Sequence, residues 1–141
     1  METETGRQPR GEMQIRTIAM PADTNPNGDI FGGWVMSQMD IAGGIAAGQR
    51  ARGRVVTAAV DAMSFLKPVR VGDLVSVYCR IVGTGRSSIR LHLETWVTRR
   101  RTGLEDPIEE LVTEAVFTFV AVDAEGRPRP GMSRPWLRWR A

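Results

Sequence analysis

The chain has 141 residues, one cysteine, one histidine and a formal net charge of +3, a size that suits one domain with a sizeable core of its own. Cys79 alone excludes an intramolecular disulfide, and with His92 as the only histidine no Cys/His cluster is available for a structural zinc. Residues 1–123 carry 14 Lys/Arg against 15 Asp/Glu, so the basicity belongs to residues 124–141, where Arg127, Arg129, Arg134, Arg138 and Arg140 stand against Glu125; this reads as a terminal extension rather than a nucleic-acid-binding unit.

In chain order, residues 1–11 read as a disordered N-terminal segment without the apolar core of a secretory leader. "EMQIRTIAM" (12–20) alternates as a first strand, and the breaker-rich "PADTNPNGD" follows. From Phe31 to Arg50 the apolar residues Val35, Met36, Met39, Ile45 and Ala46 recur at helical spacing. This helix is hydrophobic on most sides and is expected to be buried nearly all round. Four β-rich segments come next, "VVTAAVDAMSFLKP" (55–68), "LVSVYCRIV" (74–82), "SSIRLHLETWV" (87–97) and "LVTEAVFTFVAVD" (111–123), separated by turns such as "RVGD" and "GTGR". In the third, Ile89, Leu91, Leu93 and Val97 face one way while Arg90, His92, Glu94 and Trp96 face the other, as in a sheet covered on one face. One strand, one apolar helix and four more strands predict an α+β layer in which a five-stranded antiparallel sheet curls around a single helix. One helix cannot cover the whole sheet, so a homodimer is expected. No run is long and apolar enough for a membrane span, and a reducing, cytoplasmic setting is the expectation.

The stretch "MPADTNPNGDIFGGWVMSQMD" (20–40), with "GRVVT" (53–57), "FLKPVRVGD" (65–73), "GRSS" (85–88) and "AVFTFVAVD" (115–123), resembles the hot-dog fold acyl-CoA thioesterases of the YciA and brain acyl-CoA hydrolase type. The resemblance covers residues 12–130 as one domain, leaving 131–141 as a basic tail. It implies a hot-dog dimer, assembled further as a trimer of dimers, that hydrolyses acyl-CoA to free acid and coenzyme A without a metal or other cofactor. It also implies a pocket in which the loop of one subunit faces the helix of its partner, with Asp29 lining that pocket.

The chemistry of the residues runs parallel to this. Thioester hydrolysis needs a base or nucleophile, donors for a developing oxyanion, and a groove for a polyanionic substrate. Asp40, set among Met36, Met39 and Ile41, supplies the first; its rival reading is a buried aspartate satisfied by Ser37 one turn earlier or by backbone donors. Gly32 and Gly33 at a helix start bare N–H groups that can hold an oxyanion, aided by the helix dipole, or else serve tight packing. Asp29 is read equally as an Asx-turn or N-cap residue. Asp40 follows Gly33 by seven residues, about 10 Å along a helix, too far for both to touch one carbonyl carbon, so the site needs two chains. For the coenzyme A groove, Gly85, Arg86, Ser87 and Ser88 offer amides, hydroxyls and charge, with Arg54 and Lys67 adding positive charge. Two other classes stay open from sequence: a hot-dog dehydratase, which would need His92 at the active centre, and a non-enzymatic acyl-CoA sensor using the Arg-rich tail. A serine hydrolase is excluded because no G-x-S-x-G elbow exists.

Overall fold

The computed structural model describes residues 2–3, 6–99 and 106–131; the expectations for the basic tail beyond Gly131 lie outside the described residues. The elements are β1 (Glu2–Thr3), β2 (Glu12–Ile18), α1 (Gly32–Ala51), β3 (Val55–Phe65), β4 (Leu74–Thr84), β5 (Ser88–Arg99) and β6 (Ile108–Ala121). Five long strands form an antiparallel sheet in the order β2-β4-β5-β6-β3, and β1 adds two residues in parallel beside the start of β6. This is the expected α+β hot-dog architecture, a sheet wrapped on one helix. Among the described residues no helix is long and apolar enough to cross a membrane.

The helix is placed by its two ends. Before it, Ile30 N donates to Val69 O (2.9 Å) and Phe31 N to Asp23 O (2.9 Å), which fixes where the chain enters α1. After it, Arg52 takes the left-handed conformation (φ 53°, ψ 46°) and Gly53 N donates to Gly48 O, so the last turn closes on itself. Val35, Met39, Ala42, Gly43, Ala47 and Ala51 recur every three or four residues and face the sheet. Gly43 shows why the middle of this stripe is small: a Cβ there would stand 2.7 Å from the Phe119 ring. Against this stripe the sheet presents Val75, Val77, Ile89, Leu91, Leu93, Val97, Phe117 and Phe119, all buried.

Two expectations are corrected. The helix is not buried all round within one chain: Ile41 is 52% exposed, and Met36 and Ile45 lie beside it on the outer face. The stripe that meets the sheet is only about a third of the helix circumference, which is all that one covering sheet can reach. The outward face of β5, in turn, is not open: Glu94 is 0% and Trp96 1% exposed. They are covered by residues of the N-terminal segment, expected to be disordered, which lies across them. Arg7 Nη2 donates to Glu94 Oε2 (2.5 Å) and to Glu114 Oε1 (3.1 Å), while Arg10 N and Trp96 Nε1 both donate to Glu94 Oε1 (3.0 Å each). A fully buried carboxylate is tolerated only with such donors, and the arm supplies two of the three.

Candidate active site

Asp40 sits in the third turn of α1, half-buried on the edge between the sheet-facing stripe and the exposed apolar face. Thr57 Oγ1 on β3 donates to Asp40 Oδ1 at 2.5 Å. Ser37, the partner offered by the rival reading, instead donates to Trp34 O (2.7 Å). No bond to Asp40 Oδ2 is found among the described residues. The carboxylate is thus oriented through one oxygen. Thr57 is a residue of this candidate site that the sequence offers little reason to name; its one signal is a small hydroxyl in the otherwise apolar run "VVTAAV".

Asp29 is not the capping residue of its turn. Asn25 Oδ1 accepts from Asn27 N (2.9 Å) and Asp29 N (3.1 Å), so the Asx-turn belongs to Asn25, and the helix N-cap position is Phe31. The Asp29 carboxylate takes no hydrogen bond among the described residues and lines a cleft of about 310 Å³ with Asn25, Gly32, Phe65, Lys67 and Val69. Gly32 and Gly33 open the helix beside it, and their amides have no acceptor among the described residues, as the first N–H groups of a helix require no intrahelical partner. Packing requires neither glycine: at Gly32 a Cβ would stand 3.4 Å from the Phe65 ring, an ordinary contact, and at Gly33 it would meet nothing within 4 Å.

These groups do not converge in one chain. Thr57 pairs with Phe119 and Phe65 with Thr113, which separates those two strand residues by six residues of β6, about 20 Å at strand rise, while Gly32 and Asp40 stand eight residues, about 12 Å, apart along α1. The candidate coenzyme A residues divide in the same way. Arg54 O accepts from Val122 N (3.0 Å) and Ser87 O from Ala121 N (2.8 Å), so Arg54 and the Gly85–Ser88 turn flank the C-terminal end of β6. Lys67 N instead donates to Val112 O, near the start of β6 and beside the Asp29 cleft, with its Nζ 3.9 Å from Glu110. One phosphate group cannot meet both sets in a single chain, because β6 holds them about 30 Å apart; Lys67 is separated from the other five.

His92 lies away from all of this. Its Nε2 is 2.7 Å from Glu114 Oε1, on the outward face under the N-terminal arm. His92, Glu94 and Glu114 place ligand-type atoms within 4.8 Å of one another, but the Arg7 guanidinium occupies the space between the carboxylates and supplies the positive charge. Burial would raise the Glu114 carboxyl, and the hydrogen bonds from Arg7 and His92 outweigh it and hold it below the usual range; the bond to Glu114 in turn raises Arg7. Burial pushes the Cys79 thiol up to about 12, so it is an inert core residue.

Residues 27–103 match the family model described as the thioesterase superfamily. Over 130 residues the chain is 53% identical to the acyl-CoA thioester hydrolase YciA of Salmonella typhimurium, covering 91% of this chain and 96% of that protein. Among solved structures, a hexameric thioesterase from Yersinia pestis superposes with a TM-score of 0.81 at 57% identity, covering 90% of this chain and all (100%) of that one. A hexameric broad-specificity acyl-coenzyme A thioesterase superposes with a TM-score of 0.86 at 48% identity, covering 99% and 94% of the two chains.

Proposed function

This chain belongs to the YciA-type acyl-CoA thioester hydrolases of the hot-dog thioesterase superfamily, and from that premise we propose that it hydrolyses acyl-CoA to a free acid and coenzyme A at a site shared by two subunits. Asp40 acts as the base: it takes a proton from water as the water oxygen bonds to the thioester carbonyl carbon. The oxyanion is held by the Gly32 and Gly33 amides of the partner subunit, which lie at the positive end of its helix. Collapse of the tetrahedral intermediate breaks the C–S bond, and the proton held by Asp40 passes to the leaving thiolate. No metal or other cofactor enters this scheme, and the reaction is placed in the cytoplasm. The observation that carries the reading is the Asp40 carboxylate, pinned through Oδ1 by Thr57 and without a bond at Oδ2 among the described residues.

A twofold pairing of β3 with its copy supports the shared site. β3 bonds only to β6 among the described residues, leaving its other edge open, and it carries the exposed Val56, Val60 and Phe65. In an isologous antiparallel pairing about its midpoint, Val60, Thr57 of one subunit stands opposite Met63 of the partner subunit, next to the partner's Phe65 and Gly32. The same operation would bury Met36, Ile41 and Ile45 of both helices. Met13 and Ile18 on β2 with Ile81 and Val82 on β4 form a second exposed apolar set, which we assign to contacts within a trimer of dimers, the assembly size described for the Yersinia pestis relative. Arg54, Arg86, Ser87 and Ser88 hold the phosphate-bearing end of the substrate.

His92, buried under the N-terminal arm on the opposite face of the sheet, is in no position to serve a dehydratase. Purified protein incubated with acyl-CoA and a thiol reagent tests the reaction itself: thiol release is expected, and binding without release would favour a sensor. Asp40→Asn keeps volume and hydrogen bonding but cannot take a proton. It is expected to lower turnover at least about a hundredfold in a folded protein; near-native turnover would reject Asp40 as the base.

A further inference from the structure

The chain after β6 turns back on itself. Asp123 Oδ1 accepts from Glu125 N (3.0 Å) and Arg127 N (2.9 Å), and Val122 bridges to Pro128. This turn returns Arg129 to the end of β6, where its backbone N donates to Ala121 O (2.9 Å) and its Nε to Val122 O (3.2 Å). The rest of the guanidinium reaches further: Nη2 donates to Ala51 O (2.9 Å), the last residue of α1, and Nη1 to Pro130 O (2.9 Å). A cation at this place also meets the negative end of the helix dipole.

Ala121 and Val122 are the residues that hold the two basic loops. Ala121 N donates to Ser87 O (2.8 Å), Val122 N to Arg54 O (3.0 Å), and Gly131 N, two residues past Arg129, to Arg86 O (2.9 Å). Among the described residues the loop carrying Arg54 and the turn carrying Arg86 share no bond with each other; each is bonded to the 121–131 stretch. Gly53, beside Arg54, leaves room for the clamp, since a Cβ there would stand 2.5 Å from Arg129 Nη2.

We propose that Arg129 is a positioning residue for the phosphate end of the substrate groove: it locks the end of α1 to the end of β6 and so fixes the spacing between the Arg54 and Arg86 backbones. The proposal rests on the assignment of Arg54, Arg86 and Ser87 to the coenzyme A phosphates. A groove for a diphosphate and a separate phosphate monoester depends on the distance between its cations, so losing the clamp weakens binding of the nucleotide portion while the thioester chemistry, at Asp40, is untouched.

The test compares acyl-CoA with the same acyl group on N-acetylcysteamine, a thioester without phosphate. Arg129→Gln is expected to raise KM for acyl-CoA about tenfold with kcat within about twofold, and to leave the N-acetylcysteamine substrate unaffected. Gly53→Ala, which pushes the guanidinium out of its seat but keeps its charge, is expected to do the same. The proposal is overturned if both substrates suffer equally, if KM for acyl-CoA does not move, or if Gly53→Ala is silent while Arg129→Gln is not, which would mean direct contact of the charge with phosphate. Arg54→Gln and Arg86→Gln serve as reference: if neither raises KM for acyl-CoA, the phosphate assignment fails and takes the proposal with it. If they raise it and Arg129→Gln does not, only the clamp fails.

Discussion

In the proposed reaction, Thr57 sets which oxygen of Asp40 is left for the attacking water. The hydroxyl donates to Oδ1 at 2.5 Å, and a charge-assisted bond of this kind is worth about 1.5–3 kcal/mol. Thr57→Val keeps the branched shape and removes the donor. Its kcat is expected to fall about tenfold to a hundredfold as the carboxylate loses its fixed orientation, with a melt lowered by a few degrees because the fold loses the same bond, whereas Thr57→Ser retains most activity. Wild-type kcat in the valine variant would contradict the assignment. Asp40, Gly32 and Gly33 stand out as candidates in the sequence because each is out of place locally, an acid in an apolar helix and glycines where a helix should begin, whereas Asp29 enters only through the family resemblance. Thr57 does not stand out, because a threonine in a strand is ordinary, and its meaning comes from a contact 17 residues away in sequence.

At the scale of elements, the strands and the helix follow from period and punctuation, and their bounds in the structure lie close to those expected. What period could not deliver was the N-terminal arm. A polar, glycine-containing segment reads as unstructured on composition, and the bonds that hold it, from Arg7 to Glu94 and Glu114, span 87 and 107 residues of sequence. The arm makes a stability prediction with a definite sign. The Glu114 carboxyl is held below its ordinary range in the fold by Arg7 and His92, which outweigh the opposing effect of burial. Its contribution is therefore present above the ordinary carboxylate range and lost as the pH falls through the lowered folded value. Arg7→Gln leaves Glu94 fully buried without its cation and is expected to cost about 2 kcal/mol or more. In melts recorded from neutral pH down to the carboxylate range, the variant should start lower and lose less on acidification than the parent. Equal melting temperatures at neutral pH would mean that the arm is not anchored by this pair.

At the scale of the whole molecule, a single chain leaves its working parts apart. The Asp40–Thr57 pair is near one end of β3, the Asp29 cleft and the Gly32 and Gly33 amides are near the other, and the surface around them carries Met36, Ile41, Ile45, Val56 and Val60 in the open. An apolar surface beside an open strand edge is characteristic of an interface rather than a finished exterior. The expectation of a second copy comes from two features of the sequence: one helix is too few for five strands, and the distance from Gly33 to Asp40 is too long for one substrate carbon. The grouping of the cations is not legible there, since Lys67 and Arg54 are near in sequence yet hang from opposite ends of β6. The central claim is a site completed across the twofold axis, and subunit complementation addresses it most directly. Asp29→Ala and Asp40→Asn chains are first each assayed as homodimers to establish that both are inactive, then mixed, and heterodimer formation is verified. Each heterodimer then carries one intact site out of two, so a random mixture is expected to recover about a quarter of wild-type activity. Verified heterodimers with no recovery would place Asp29 and Asp40 in the same site of one chain and contradict the shared active site.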